Sequence, residues 1–167
     1  DARSKALTCD DFRGIAISSI FSKIFEHCLL KLFSSFLYST DNQFGFNKGL
    51  GCNHAIFTSR KIIEQIVKDG GTANLCSIDL SKAFDKVNHC ALFMKLMHRH
   101  VPLCFLELLE NWFCNYVSTV KWGTTYSAFF SVNFGVRQGS VLSPFLFAIY
   151  LDNIACKGHF ALRTFVV

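Results

Sequence analysis

Ala73-Asn74-Leu75-Cys76-Ser77-Ile78-Asp79-Leu80-Ser81-Lys82-Ala83-Phe84-Asp85-Lys86-Val87-Asn88-His89 holds two patterns in one run. From Ala73 to Leu80 it reads as a short strand, with Leu75, Ser77 and Asp79 on one face and Cys76, Ile78 and Leu80 on the other. A tight turn and then a helix follow. A carboxylate at the end of a buried strand is costly to keep ionised without a positive partner. Mg²⁺, a lysine or the N–H groups of a following helix turn can serve. Asp85 lies beside Phe84, near Lys82 and Lys86. On these residues alone two readings stay open. Asp79 is a metal ligand, or it caps the next turn and Asp85 is a surface charge.

Ile78-Asp79-Leu80-Ser81-Lys82-Ala83-Phe84-Asp85 resembles the first catalytic motif of reverse transcriptases, in the version found in non-long-terminal-repeat (LINE-like) retrotransposons. Gly135-Val136-Arg137-Gln138-Gly139-Ser140-Val141-Leu142-Ser143-Pro144 resembles their second palm motif, and Gln43-Phe44-Gly45-Phe46 the fingers motif that precedes both. The blocks stand in the family's order over about Phe12 to Asp152.

The resemblance implies an α+β fold: right-hand polymerase fingers and a partial palm, with helices packed on a small antiparallel sheet. Residues 1–72 would be the fingers portion and 73–167 the palm portion. The implied activity is RNA-directed DNA polymerisation, adding deoxynucleoside triphosphates to a DNA primer on an RNA template. Mg²⁺ is the implied cofactor, with Mn²⁺ as an alternative. Asp79 is the implied catalytic residue and metal ligand, and the backbone carbonyl of Leu80 is a second oxygen for the ion. Phe84 would abut the sugar's 2′ position, and Gln138 and Gly139 would line the nucleotide and primer–template groove. Lys48 is a further nucleotide contact, while Asp85 and Arg137 are structural or supporting.

The chain also departs from the family pattern. Gly14 stands where proline usually follows the arginine, and Asn47 then Lys48 stand where an arginine commonly follows Phe46. Lys48 offers a point charge rather than a planar fork. Family members place an aromatic-x-Asp-Asp hairpin after the second palm motif. This chain has Asp152-Asn153 there and no acidic residue beyond Asp152. It therefore resembles an incomplete polymerase, without the Asp-Asp hairpin and thumb, and is expected to be inactive alone. Phosphoryl transfer of this kind needs carboxylates that converge on two metals about 3.5–4 Å apart.

Bulk properties agree with a packed domain. The 167 residues suffice for one sizeable core, and 51% hydrophobic content with 19 Phe argues against disorder. A net charge of +5 suits a polyanion modestly. The longest apolar run, Phe145 to Leu151, is far too short to span a bilayer, and no signal-peptide core follows the N-terminus. The eight cysteines include no C-x-x-C pair and read as buried free thiols in a reducing, intracellular setting, cytoplasm or nucleus. His98 and His100 flank Arg99, which reads as a solvated basic patch.

Apolar pairs four apart from Ile20/Phe21 to Phe36/Leu37 predict a helix facing the core through its length, capped by Ser18 or Ser19. A glycine-bearing loop, Gln43 to Asn53, leads to an amphipathic helix stopped by Gly70-Gly71. A helix from about Asn88 to Arg99 should bury Leu92, Phe93, Leu96 and Met97, and Pro102 should open another. Thr119–Trp122 and Phe129–Val132 predict a hairpin turning at Gly123-Thr124-Thr125. Ser143-Pro144 opens a short helix that is apolar nearly all round, hence buried.

Two other function classes fit parts of the sequence. A non-catalytic retroelement remnant would fold and at most bind nucleic acid weakly. A different Mg²⁺ enzyme using Asp79 and Asp85 as a self-contained pair leaves the Gln138 block unexplained.

Overall fold

The computed structural model describes residues 8, 12, 14–39, 43–47 and 49–152. Helix α1 (Ile20–Leu32) starts where the Ser19 hydroxyl accepts from the Ser22 N–H at 3.2 Å, as the cap pattern predicts. It ends earlier than the apolar stripe does. Only Glu26 and Leu29 are buried along it, whereas Ile20, Phe21, Ile24 and Leu32 are mostly exposed. The expectation of a helix facing the core throughout is therefore corrected. The stripe is wider than the single face that the rest of the described chain covers.

Helix α2 (Cys52–Lys68) buries only Ala55. It stops at Gly70, whose φ of 78° lets the Gly71 N–H reach back to the Ile66 carbonyl at 2.9 Å. Asn88 caps α3 (His89–His98) by accepting from the Ala91 N–H at 3.0 Å. Leu92 and Leu96 are fully buried, but Met97 is 59% exposed, against expectation. One residue past Leu96 turns a helical side chain through about 100°, which takes Met97 off the buried stripe.

Pro102 directly precedes α4 (Leu103–Cys114), which buries Phe105, Leu106 and Leu109. Helix α5 (Ser143–Leu151) is buried through Leu146, Phe147, Ala148, Ile149 and Leu151, as its uniformly apolar sequence predicts. Helix α3 packs on both α4 and α5. Val87, Val101, Val136, Leu29 and Leu37 complete this core.

The predicted strand at 73–80 does not form. This run takes no regular secondary structure, has no ladder partner among the described residues, and leaves Leu75 and Ile78 largely exposed. Strand geometry persists only where a neighbouring strand supplies N–H and C=O groups, and no described strand pairs with this run.

A hairpin forms in this region, but the predicted strands Thr119–Trp122 and Phe129–Val132 do not pair with each other; two short ladders form instead. Strands β2 (Lys121–Trp122) and β3 (Thr125–Tyr126) pair around Gly123-Thr124, with Gly123 at φ 59°. Outside them β1 (Val117–Ser118) pairs with β4 (Phe130–Ser131). The pairings Trp122↔Thr125 and Val117↔Ser131 differ in register by one residue, so the returning strand carries a bulge after Ser127. These strands are exposed except for Ser118, which is half-buried. The class is α+β, but the helices pack on one another rather than on a sheet.

Two smaller expectations also change. Cys28, Cys52, Cys76, Cys90, Cys104 and Cys114 are free thiols, but they are exposed rather than buried. They occupy the outer sides of their elements. Arg99 is no solvated patch residue: it pairs with Asp152, donates to the Tyr38 carbonyl and lies 5.0 Å over the Tyr38 ring. No helix among the described residues is long and apolar enough to cross a membrane.

Candidate active site

The first and second blocks meet backbone to backbone. After the turn at Ser81–Ala83, where Lys82 takes a φ of 53°, the chain forms a single 3₁₀ turn, Phe84–Lys86. The Gly135 N–H donates to the Val87 carbonyl and the Val136 N–H to the Phe84 carbonyl, both at 2.8 Å. Gly135 has φ +87°, and a Cβ there would lie 2.9 Å from Asp85 Cα, the Asp85 carbonyl and the Phe84 carbonyl. Only glycine lets the two backbones come this close. His89 adds a third tie, 2.7 Å from Nε2 to the Gly135 carbonyl. A carbonyl only accepts, so the Nε2 proton is the one engaged.

This contact brings Gln138 to Asp85, and the Gln138 Nε2 donates to Asp85 Oδ1 at 3.1 Å. Asp85 is thus a hydrogen-bond partner of the second block. Gly139 follows at φ +99°, with room for a Cβ only 3.2 Å from the Ala16 carbonyl. Arg137 turns the other way. Its guanidinium lies over the rings of Trp112 at 5.1 Å and Tyr116 at 4.6 Å, which anchors the loop to α4.

Phe84 is half-buried. Its ring stacks on Phe147 at 4.6 Å and meets the edge of Phe46 at 5.6 Å. Phe46 sits at φ 61° in the fingers block, so that block, the first block and α5, just behind the second block, meet in one ring cluster. Lys48 lies outside the described residues.

Asp79 stands apart from this assembly. It and Leu80 are exposed on the 71–80 run, which carries no regular secondary structure, and Asp79 forms no hydrogen bond or ion pair with another described residue. Asp85 is engaged by Gln138, and Asp152 by Arg99. Among the described residues no group of three or more His, Cys, Asp or Glu side chains is placed to hold a metal ion. The described residues therefore do not fit a two-metal centre by themselves, since Asp79 brings one carboxylate where several must converge.

Sequence reasoning missed Glu26. It is fully buried on α1 and accepts from the Ser140 hydroxyl at 2.5 Å and from the N–H groups of Val141 at 2.5 Å and Leu142 at 3.1 Å. The available signal was a lone acid on the inward line Ser22, Glu26, Leu29 of an otherwise apolar stripe.

Comparison with known proteins bears on this assembly directly. The family model described as reverse transcriptase (RNA-dependent DNA polymerase) matches residues 3–161. The chain is 27% identical over 155 residues to the "Probable RNA-directed DNA polymerase from transposon BS" of Drosophila melanogaster, covering 90% of this chain and 17% of that protein. It is 27% identical over 146 residues to the "Probable RNA-directed DNA polymerase from transposon X-element" of the same organism, covering 83% of this chain and 16% of that protein. A "Reverse transcriptase-like protein" of Chlamydomonas reinhardtii is 28% identical over 125 residues, 74% of this chain and 32% of that protein. The chain thus spans about a sixth of the two transposon proteins and a third of the algal one. With the signature blocks joined in space and the match running through nearly the whole sequence, the chain belongs to the reverse transcriptase (RNA-dependent DNA polymerase) family.

Proposed function

We propose that this chain is the fingers and partial palm of an RNA-directed DNA polymerase of a LINE-like retroelement, with residues 1–72 as fingers and 73–167 as palm. The observation that carries the reading is the join between the Phe84–Val87 turn and the Gly135–Gln138 loop, through two backbone bonds of 2.8 Å. It sets Phe84, Gln138 and Gly139 around one surface. The deoxynucleotide, the DNA primer and the RNA template would be bound there. Gln138 offers both a donor and an acceptor toward a base pair or sugar, and Gly139 lets a ligand approach the backbone closely.

Asp79 and the Leu80 carbonyl are this chain's contribution to a Mg²⁺ site, with Mn²⁺ as an alternative ion, whose remaining carboxylates the described residues do not contain. By itself the chain is inactive. Its exposed free thiols suit the proposed intracellular location, in cytoplasm or nucleus.

The test is a hybrid in which the hairpin and thumb of the transposon BS polymerase follow Asp152, assayed for RNA-templated extension of a DNA primer. Extension that Asp79→Asn abolishes supports the reading. A hybrid that binds primer–template yet extends nothing, while the parent enzyme does, points to a non-catalytic remnant.

A further inference from the structure

We propose that Glu26, on α1, is the positioning residue that fixes the Gln138–Gly139 loop, a role that rests on reading this loop as the nucleotide and primer–template contact. Glu26 has no solvent exposure. A buried carboxylate must be met by donors, and one loop supplies nearly all of them. Its Oε2 takes the Ser140 hydroxyl at 2.5 Å, the Val141 N–H at 2.5 Å and the Leu142 N–H at 3.1 Å. Among the described residues its Oε1 takes the Ser22 hydroxyl of its own helix, at 3.4 Å. The Ser140 oxygen in turn accepts from the Ser143 N–H at 3.3 Å, at the first residue of α5.

The same stretch of chain grips the loop a second time. The Ala16 N–H donates to the Gln138 carbonyl at 3.0 Å, and the Ala16 carbonyl faces Gly139 closely enough that a Cβ would sit 3.2 Å away. Residues 16 and 26 therefore hold the loop on either side of Gly139. Between these two grips the Gln138 side chain keeps its line to Asp85. The Ala16 grip needs only backbone, so any residue there except proline can supply it. The Glu26 grip needs a carboxylate, because a single oxygen must accept three donors, and charge roughly doubles the strength of each such bond. A shift of α1 against α5 would thus be passed to Gln138 through Glu26.

The test uses the 167-residue chain and two readouts, amide hydrogen exchange and binding of a labelled RNA–DNA primer–template. Glu26→Ala should speed exchange at Val141 and Leu142 by at least about tenfold, because both N–H groups lose their acceptor. Exchange at Leu92 and Leu96 in the core should not change. Primer–template affinity should fall by about threefold or more, as the groove wall loses its fixed shape. Glu26→Gln keeps an oxygen in place without the charge and should show smaller effects in both readouts. Unchanged exchange at Val141 and Leu142 in both variants overturns the proposal. Faster exchange with unchanged affinity also overturns it, since Glu26 would then brace the fold without positioning the groove. If Glu26→Ala exposes Leu92 and Leu96 as well, Glu26→Gln decides by the same criteria. If the wild-type chain does not bind primer–template, the polymerase reading fails, and with it the positioning role, whereas the exchange data still report whether Glu26 holds the loop.

Discussion

The ring of Phe84 lies nearly flat on that of Phe147, with centroids 4.6 Å apart and planes 19° apart. Phe84 belongs to the first block and Phe147 to α5, just behind the second. Phe46 of the fingers block closes on both, edge-on, at 5.6 and 6.3 Å. Such ring pairs add about 0.5–1.5 kcal/mol each beyond the area they bury. The cluster therefore ties together segments that the sequence keeps far apart.

Gly135→Ala should cost about 2–5 kcal/mol in urea unfolding. The left-handed φ of +87° contributes about 1–2 kcal/mol for any residue with a Cβ, and crowding contributes about 1–3 kcal/mol more. The crowding is against backbone of Phe84 and Asp85, which cannot swing aside. Gly70→Ala is the control, since Gly70 has φ +78° and nothing within 4 Å of a Cβ. It should lose only about 1–2 kcal/mol. Equal losses at the two sites would show that the join between the blocks is looser than its geometry.

Glu64 gives α2 a pH dependence. Hydrogen bonds from Lys61 first and Arg60 second hold its carboxyl below the ordinary 4.5. A carboxylate with a depressed folded pKa stabilises the folded state above its unfolded value. That contribution is lost as pH falls from about 4.5 through the lower folded value. The pair is exposed, so the effect should be small and weakened by salt. Amide exchange in α2 of wild type and Glu64→Gln should differ at neutral pH and low salt and converge toward pH 3 or in 1 M salt. A difference that persists in acid would reject the assignment.

What the sequence made legible was local. The Ser19 cap, the Gly70 stop, the Pro102 start, a tight turn at Gly123 and the buried α5 all follow from short-range rules, and all are found. The failures are tertiary. Nothing in the stripe of α1 says which of its sides a neighbour will cover, and nothing in residues 73–80 says whether a partner strand lies beside them. The Gln138–Asp85 and Glu26–Ser140 contacts bridge residues far apart in sequence, so no periodicity could show them. In the candidate site, the block pattern singled out Phe84, Gln138, Asp85 and Asp79 alike, and the structure joins the first three. It could not show that Asp79 stands exposed while they are joined.

The isolated chain should not extend a DNA primer on an RNA template. Asp79 brings one carboxylate, while those of Asp85 and Asp152 are engaged by Gln138 and Arg99. Two metals need more oxygen ligands than that. The assay is incorporation of a labelled deoxynucleotide against a tag-only control, with Mg²⁺ and with Mn²⁺. Incorporation that disappears in Asp79→Asn would mean that a replacement ligand completes the site.

Binding of primer–template by the same chain should be weak, indifferent to sequence and steeply salt-dependent. The net charge is only +5 and is spread along the chain. If about two or three phosphates are neutralised, affinity should fall about ten- to fortyfold between 50 and 200 mM salt. Anisotropy titrations at both salts measure this. An affinity that hardly moves would indicate stacking or shape recognition instead.

In the hybrid polymerase Phe84 should decide which sugar is accepted. Its ring cannot retreat on one face, because Phe147 lies against it, and Phe46 blocks a second direction. A pocket wall that can relax rejects an extra hydroxyl poorly, by about 1–3 kcal/mol at best. A wall backed by two other rings yields less readily, so it should exclude a 2′-hydroxyl more strictly. Phe84→Val removes the wall and leaves the backbone bond from Val136 to residue 84 in place. The ratio of kcat/KM for a matched ribonucleotide to that for the deoxynucleotide should rise about tenfold or more, equivalent to about 1.4 kcal/mol of lost discrimination. Deoxynucleotide extension should stay within about threefold of wild type, apart from any loss of folded protein, which a parallel unfolding curve measures. Stability must be followed, because the same substitution thins the ring cluster. If both rates fall together and their ratio does not move, Phe84 serves packing alone and the 2′ position is read elsewhere.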